Sequence, residues 1–389
     1  MEVVFQPLGL HVEVEAGATI LEAAQKGGVG ISAICGGVGS CDTCRVRLND
    51  PDQTSPPTET ERDALGLHGL AAGMRLACQT EILGPLRVEV PPESMTATQR
   101  TQVEGLEGSL EFQPAVRILD LTLPPAASDD LQADFERLRA AASREGRPGL
   151  ECSNLAALKQ IPGVLRTNQW QVRVVARGSE LVCVAPPGTP VLGMAVDIGT
   201  TKVAGYLVDL ATGETLAMKG IMNPQIAFGE DVMARITHCL MHDHGGEDLQ
   251  KAIIRALNDL ARDLCTEAGA RKGRDAPDYE PSQIVESVMV GNTAMHHLLL
   301  GLPVAQLGRA PYVAARSSPL DLWGSELGLA ISPGATVHFP ANIAGFVGAD
   351  HLSMLLATDT HKREGVVVSL DIGTNTEITL LAHRQMISC

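Results

Sequence analysis

MAVDIGTTKVAGYLVDL (residues 194–210) and VVVSLDIGTNTEITLL (residues 366–381) are two versions of one pattern. Each is an apolar strand, then D-I-G-T, then a second apolar strand. Asp197 and Asp371, Gly199 and Gly373, and Thr200 and Thr374 take matching places. A glycine at a strand-to-strand turn lets backbone N–H groups approach a phosphate. The hydroxyls of Thr200, Thr201 and Thr374 and the amide of Asn375 can donate to phosphate oxygens. A carboxylate does not bind phosphate, but Asp197 and Asp371 can hold Mg²⁺ or its water. Two such hairpins facing each other would clamp one nucleotide tail and its metal. One D-x-G-T turn arises easily by chance. The matched pair is a stronger signal, weighed against two unrelated hairpins with Asp–Gly-type turns.

The pairing resembles the actin/Hsp70/sugar-kinase (ASKHA) superfamily, in which a nucleotide sits between two related subdomains. VMVGNTAMHHLLL (288–300) resembles that superfamily's strand-to-helix connecting element, which puts Gly291, Asn292 and Thr293 near the phosphates. The plain alternative is a helix start with Asn292 or Thr293 as its cap. His296 and His297 read as helix residues rather than ligands. Lys202 points either to a phosphate or to solvent. NIAGFVG (342–348) either lines the cleft or begins a helix. In MNPQIAFGEDVMAR (222–235), Asn-Pro-Gln follows a strand and a helix opens near Gly229–Glu230. Cys239 and Cys265 fall on helical patterns and read as core thiols.

At the other end stands ICGGVGSCDTCRVRL (34–48), with Cys78 in a later RLACQT run. The spacing is Cys35-x5-Cys41-x2-Cys44. Glycines at 36, 37 and 39 let the backbone wrap a small object whose sulfurs accept N–H bonds. Four thiolates suffice for a [2Fe–2S] cluster. A zinc site would show paired C-x2–4-C knuckles, and only one pair is so spaced here. A disulfide would not need the glycine loop. Around this run, Val3–Phe5 and His11–Glu15 read as strands, and Thr19 caps a helix over Ile20–Gln25. Thr58–Leu65 reads as a short helix and Leu86–Val90 as a closing strand. Residues 1–93 resemble a plant/adrenodoxin-type ferredoxin domain of β-grasp fold, and the five-residue spacing resembles the adrenodoxin-like branch.

PPESMTATQRTQV (91–103) is proline-led and polar, and 94–105 reads as a linker. Beyond it, strands are expected at Ala115–Leu123, Trp170–Ala176 and Leu181–Ala185. Helices are expected at Asp129–Glu145 and Leu155–Lys159. The result is a small α/β unit at 106–190, in which Cys152 and Cys183 read as buried thiols. An incomplete ASKHA domain follows at 191–389, giving an α+β multidomain chain.

Composition narrows the function. The 389 residues are 44% hydrophobic but only 3% aromatic, so the cores are aliphatic. A net charge of −16 argues against nucleic acid, which needs a basic footprint. No basic-then-apolar leader and no 18-residue apolar run are present, so neither secretion nor a membrane span is expected. Nine cysteines without a leader fit a cytoplasmic chain that ligates metal.

A [2Fe–2S] domain ahead of an ASKHA domain resembles the reductive activators of corrinoid proteins, across the DIGTT, NPQ, GNTAMHH and DIGTN runs. The resemblance implies an ATP- and Mg²⁺-dependent protein that passes one electron from its cluster to a corrinoid protein of a methyltransferase system. The corrinoid returns from Co(II) to Co(I), and an external donor refills the cluster. The resemblance implies an uphill step, because the Co(II)/Co(I) couple lies below the cluster's, and each 59 mV costs about a tenfold factor for one electron. Such proteins continue past the second hairpin into an adenosine-binding segment, so a chain stopping at Cys389 is expected to be a fragment. Two other functions compete. One is a ferredoxin-like carrier with an inert ASKHA remnant, which would not bind nucleotide. The other is a small-molecule kinase with an accessory cluster, in which Asp371 would be the base.

Overall fold

The computed structural model describes every residue except 8, 34, 92–93, 96–111, 147–148 and 273–277. From residue 96 on, the expected linker over 94–105 lies outside the described residues.

The first sheet is built from β1 (Glu2–Gln6), β2 (Leu10–Glu13), β3 (Arg45–Leu48), β4 (Met74–Leu76) and β5 (Leu86–Glu89), with α1 (Ile20–Lys26) and α2 (Glu59–Ala71). Its order is β2-β1-β5-β3-β4, with β5 parallel to β1 at the centre and the other pairs antiparallel. That is a β-grasp sheet. Val3, Phe5, Val46 and Val88 alternate inward against Ile20, Leu21, Ala23 and Ala24 of α1. The Thr19 cap is a full capping box: its hydroxyl accepts from Glu22 N–H at 3.1 Å, and its own N–H donates to the Glu22 carboxylate at 2.7 Å. α2 is two helical pieces joined at Gly66, whose φ of +64° and ψ of 172° are non-helical, so the piece that Thr58 caps ends at Leu65.

The second unit holds β6 (Val116–Thr122), α3 (Asp134–Arg144), α4 (Leu155–Thr167), β7 (Gln171–Arg177) and β8 (Glu180–Ala185). Its three strands form an antiparallel sheet in the order β6-β7-β8. Leu138, Ile161 and Leu165 pack on Val172 and Val174. Two helices differ from expectation. α3 starts at Asp134, not Asp129, because the Asp130 carboxylate is taken by Arg137 at 2.6 Å. α4 continues past Pro162 to Thr167. Pro162 and Gly163 lie on its exposed face, while Ile161 and Leu165 are anchored in the core.

The third unit holds β9 (Leu192–Ile198), β10 (Lys202–Asp209), β11 (Thr215–Met222), α5 (Val232–Met241), α6 (Gly245–Lys272), β12 (Ile284–Gly291), α7 (Thr293–Leu300), β13 (Leu320–Trp323) and β14 (Thr336–Phe339). The sheet order is β11-β10-β9-β12-β14-β13. β9, β10 and β11 form an antiparallel meander, and β12 and β14 then add parallel to β9. This is the ribonuclease H-like order expected of an ASKHA subdomain. α6 lies across β10 so closely that a Cβ on Gly205 would come within 2.7 Å of Leu260. The second D-I-G-T hairpin belongs to a separate antiparallel sheet of β15 (Val367–Ile372), β16 (Thr376–Ala382) and β17 (Gln385–Ser388), preceded by α8 (Ala349–Ala357).

Cys265 is buried, whereas Cys152, Cys183 and Cys239 are half-buried and not enclosed as expected. Among the described residues no helix is long and apolar enough to cross a membrane.

Candidate functional site

Two arrangements carry chemistry. The first is the thiol loop ahead of β3. Gly36, Gly37 and Gly39 adopt φ of +69°, +90° and +82°, a region glycine enters without penalty. Those three left-handed residues coil the backbone between Cys35 and Cys41. The thiols come as two pairs. Cys44 Sγ lies 3.4 Å from Cys78 Sγ, and the Cys35 side chain hydrogen-bonds that of Cys41. Burial works to raise the Cys35 thiol, but bonds from Cys41 and from the Gly37 and Gly39 backbone outweigh it and bring it to about 7. In the other pair the shared hydrogen bond raises Cys44 and lowers Cys78. All four are free thiols. Among the described residues no three His, Cys, Asp or Glu side chains converge on a point as a single metal ion needs. A two-iron cluster takes two thiolates on each iron. The two thiol pairs fit that demand.

Cys78 is set in place by a buried network. Glu61, with a fully buried side chain, accepts from Arg75 Nε at 2.8 Å and Nη2 at 2.9 Å. It also accepts from Leu76 N–H at 3.0 Å and Thr80 Oγ1 at 3.1 Å. Burial alone would raise the Glu61 carboxyl, yet these donors hold it below its ordinary value.

The second arrangement is a cavity of about 390 Å³ between the two D-I-G-T turns. The turns touch: Thr201 Oγ1 and Thr374 Oγ1 are 2.8 Å apart. Asp197, Gly199, Thr200, Thr201, Lys202, Asn292, Asp371, Gly373, Thr374 and Asn375 all line it. Gly291 and Thr293 do not. Gly291 stands behind the wall, where a Cβ would meet Ile198 O at 2.7 Å, and the Thr293 hydroxyl donates to Ala344 O at 2.6 Å. Asn292 is both wall and cap, its side-chain oxygen accepting from Ala294 N–H at 3.0 Å. Gly348 of the NIAGFVG run packs on this element, where a Cβ would meet Gly291 O at 2.3 Å. His296 and His297 are buried in α7. The His297 ring bonds Thr293 O at 2.7 Å and Ala315 N at 2.9 Å, so it is structural.

The sequence reading missed two carboxylates of the cavity, Asp350 and Glu377. Burial, then the charges of Asp350 and Asp371, push Asp197 up to about 7 and Glu377 to about 7. Burial and Asp371 push Asp350 up to about 6. Four acidic groups thus share one wall, each resisting the charge of the others. A signal for Glu377 was present: reflecting the second hairpin about Thr374 pairs Asp371 with Glu377, the register observed. Asp350 opens a helix right after the glycine-rich run, a place sequence alone does not tie to the cavity.

Three stretches of the chain match known families. Residues 3–83 match the 2Fe-2S iron-sulfur cluster binding domain, 105–189 the RACo linker region and 192–363 the RACo middle region. The corrinoid activation enzyme RamQ of Eubacterium limosum is 27% identical over 387 residues, covering 98% of this chain and 59% of RamQ. A ferredoxin, CarAc of a Sphingomonas species, is 42% identical over 87 residues, 21% of this chain and 80% of the ferredoxin. The solved structure of a reductive activator for corrinoid, iron-sulfur protein superposes with a TM-score of 0.62 at 30% identity, covering 100% of this chain and 62% of that one. The chain therefore spans 59% and 62% of these two long relatives. The chain thus shows homology to a corrinoid activation enzyme and a structural match to a reductive activator for corrinoid, iron-sulfur protein, and it carries in succession a 2Fe-2S cluster binding domain, a RACo linker region and a RACo middle region.

Proposed function

We propose that this protein is an ATP-dependent reductive activator of a corrinoid protein, delivering one electron that returns Co(II) to Co(I). The observation that carries the reading is the hydroxyl-to-hydroxyl meeting of two D-I-G-T turns over an acidic cavity, in a chain that also holds the four-cysteine loop. A [2Fe–2S] cluster on Cys35, Cys41, Cys44 and Cys78 supplies a one-electron donor. The loop presents its tip to a partner through Val38, 41% exposed.

In the cavity, Thr200, Thr201, Thr374 and Asn375 donate to phosphate oxygens, and the Lys202 ammonium offsets their charge. Asp197 and Asp371 hold Mg²⁺, with Asp350 and Glu377 beside them. Magnesium keeps several waters and is bound by one or two carboxylates plus phosphates. A wall carrying the carboxylates of Asp197, Asp350, Asp371 and Glu377 suits that habit. The cation also offsets the burial and the mutual repulsion that raise Asp197, Asp350 and Glu377. Closure on ATP favours the complex with the corrinoid protein and supplies the free energy of an uphill transfer. We assign the working units as 1–93, a linker over 94–105, 106–190 and 191–389, in the cytoplasm, with an external protein refilling the cluster.

The test is anaerobic reduction of a Co(II) corrinoid protein by the reduced holoprotein, followed by absorbance. Co(I) is expected with Mg–ATP and not without it. Equal rates without ATP would overturn the energetic role of the nucleotide. Absence of nucleotide affinity would leave the ferredoxin-like carrier.

A further inference from the structure

The run Asn223–Arg235 touches both halves of the site. On one side it holds the first D-I-G-T turn from behind. The Asn223 side-chain amide donates to Gly199 O at 2.8 Å, the Arg235 guanidinium to Thr200 O, and Asn223 N–H to Thr201 O at 3.0 Å. Three consecutive carbonyls of a turn that lines the cavity are thus fixed by one segment.

On its other side the segment seats the thiol domain. Ala227 O accepts from Gln25 Nε2 of α1 at 2.6 Å, and the Glu230 carboxylate accepts from the Ser32 hydroxyl. Gly36, next to Cys35, packs so closely that a Cβ there would lie 3.0 Å from Ala234 O. The two sides form one body. Arg235 is 0% exposed and also donates to Gly229 O at 3.0 Å and Gln225 Oε1 at 3.3 Å. A Cβ on Gly229 would come within 2.8 Å of Ala234, so the turn and the helix start are in contact with no gap between them.

We propose that Asn223–Arg235 couples the cavity to the thiol loop, so that nucleotide in the one and the redox state of the other shift each other's equilibrium, with Arg235 as the positioning residue. The inference rests on reading the cavity as the nucleotide site and the loop as the cluster site. A displaced Thr200 carbonyl moves Arg235, and Arg235 moves the backbone on which Gly36 rests. Such a chain of packed groups and hydrogen bonds without slack carries coupling between sites. Linkage makes the effect reciprocal: the factor by which reduction changes nucleotide affinity equals the factor by which nucleotide changes the cluster's reduction.

The experiment measures binding of a non-hydrolysable Mg–ATP analogue to the anaerobic holoprotein, oxidised and reduced, together with the cluster potential with and without the analogue. We expect affinities that differ by about fivefold or more, and a potential shift of the same factor, about 59 mV for each tenfold. The double variant Gln25→Ala, Glu230→Gln changes only the junction. It should bring the ratio to one while keeping the oxidised-state affinity. Arg235→Lys should also abolish the ratio, and the junction variant keeps the test decisive if Arg235→Lys does not fold. Binding with equal affinity in both states overturns the coupling and leaves both sites standing. No binding in either state overturns the cavity reading and the coupling with it. A junction variant that keeps the wild-type ratio overturns the route through this segment.

Discussion

The two D-I-G-T hairpins read alike, and the molecule supports them differently. Behind the first, the carbonyls of Gly199, Thr200 and Thr201 are each taken by Asn223 or Arg235, and β9 lies inside a six-stranded sheet. At the second, the turn's own bond runs from Gly373 N–H to Asn375 O at 2.9 Å. The strand leading into it has Val368, Leu370 and Ile372 at 57, 53 and 77% exposure. Opposite Asp197 stands Ala204, and opposite Asp371 stands Glu377. Four shared residues therefore specify a turn. What packs behind the turn decides how firmly it is aimed, and what stands across the hairpin decides its charge. The first hairpin is a fixed jaw. The second touches the first through Thr374 and is held from behind by α8, where the His351 ring bonds Thr379 Oγ1 at 2.6 Å and lies 3.8 Å from the Asp371 carboxylate.

The largest expected effect tests that asymmetry. Arg235→Met strips donors from Thr200 O, Gly229 O and Gln225 Oε1 in a buried place. It should cost roughly 3 kcal/mol or more. Ser369→Ala, on the strand before the second turn, removes one bond to Thr360 Oγ1 at 3.0 Å and should cost under about 1 kcal/mol. Urea denaturation of the two variants measures this, and similar midpoints would break the comparison.

A smaller effect tests the charge. Asp197, Asp350 and Glu377 keep their protons in the fold up to about 7, 6 and 7, while in the unfolded chain such carboxyls titrate near 4. The folded state thus binds more protons between about pH 4 and about pH 7, and stability falls as pH rises through that window. Melting temperatures in EDTA should decline accordingly, and Asp197→Asn should flatten the decline. Mg²⁺ should protect more at pH 8 than at pH 5. A profile unchanged by Asp197→Asn would remove the acidic wall from the account.

The smallest effect sharpens the contact between the jaws. Thr201→Ala and Thr374→Ala each lose the same hydroxyl bond, so the double variant should cost less than the sum of the two. The expected coupling is about 1 kcal/mol, from a double-mutant cycle on nucleotide affinity. An additive pair would mean that the turns act independently.

The comparison also marks what a sequence can disclose. The Cys35-x5-Cys41-x2-Cys44 spacing and the repeated D-I-G-T depend on bonds between near neighbours, and both were legible. The Thr19 cap was legible for the same reason. The support behind Thr200 was not, because Arg235 reaches it across 35 positions and nothing in the local pattern distinguishes a buried arginine from a solvated one. Asp350 stayed hidden likewise, since only the third dimension brings α8 to the wall. Helix ends were misplaced where tertiary contacts overrode local signals, at Arg137 with Asp130 and at Pro162 on an exposed face.

The Glu61 network has a consequence for how the thiol domain is made. Cys78 follows Cys44 by 34 positions, yet Arg75, Leu76 and Thr80 are bound to one carboxylate by groups that include no sulfur. In small zinc domains the ligands converge only when the ion arrives, and binding is folding. Here the placement of the residues around Cys78 rests on the Glu61 carboxylate and not on sulfur ligation. One buried salt bridge thus delivers the last sulfur to its place, and the thiol travels as a passenger of the Glu61–Arg75 pair.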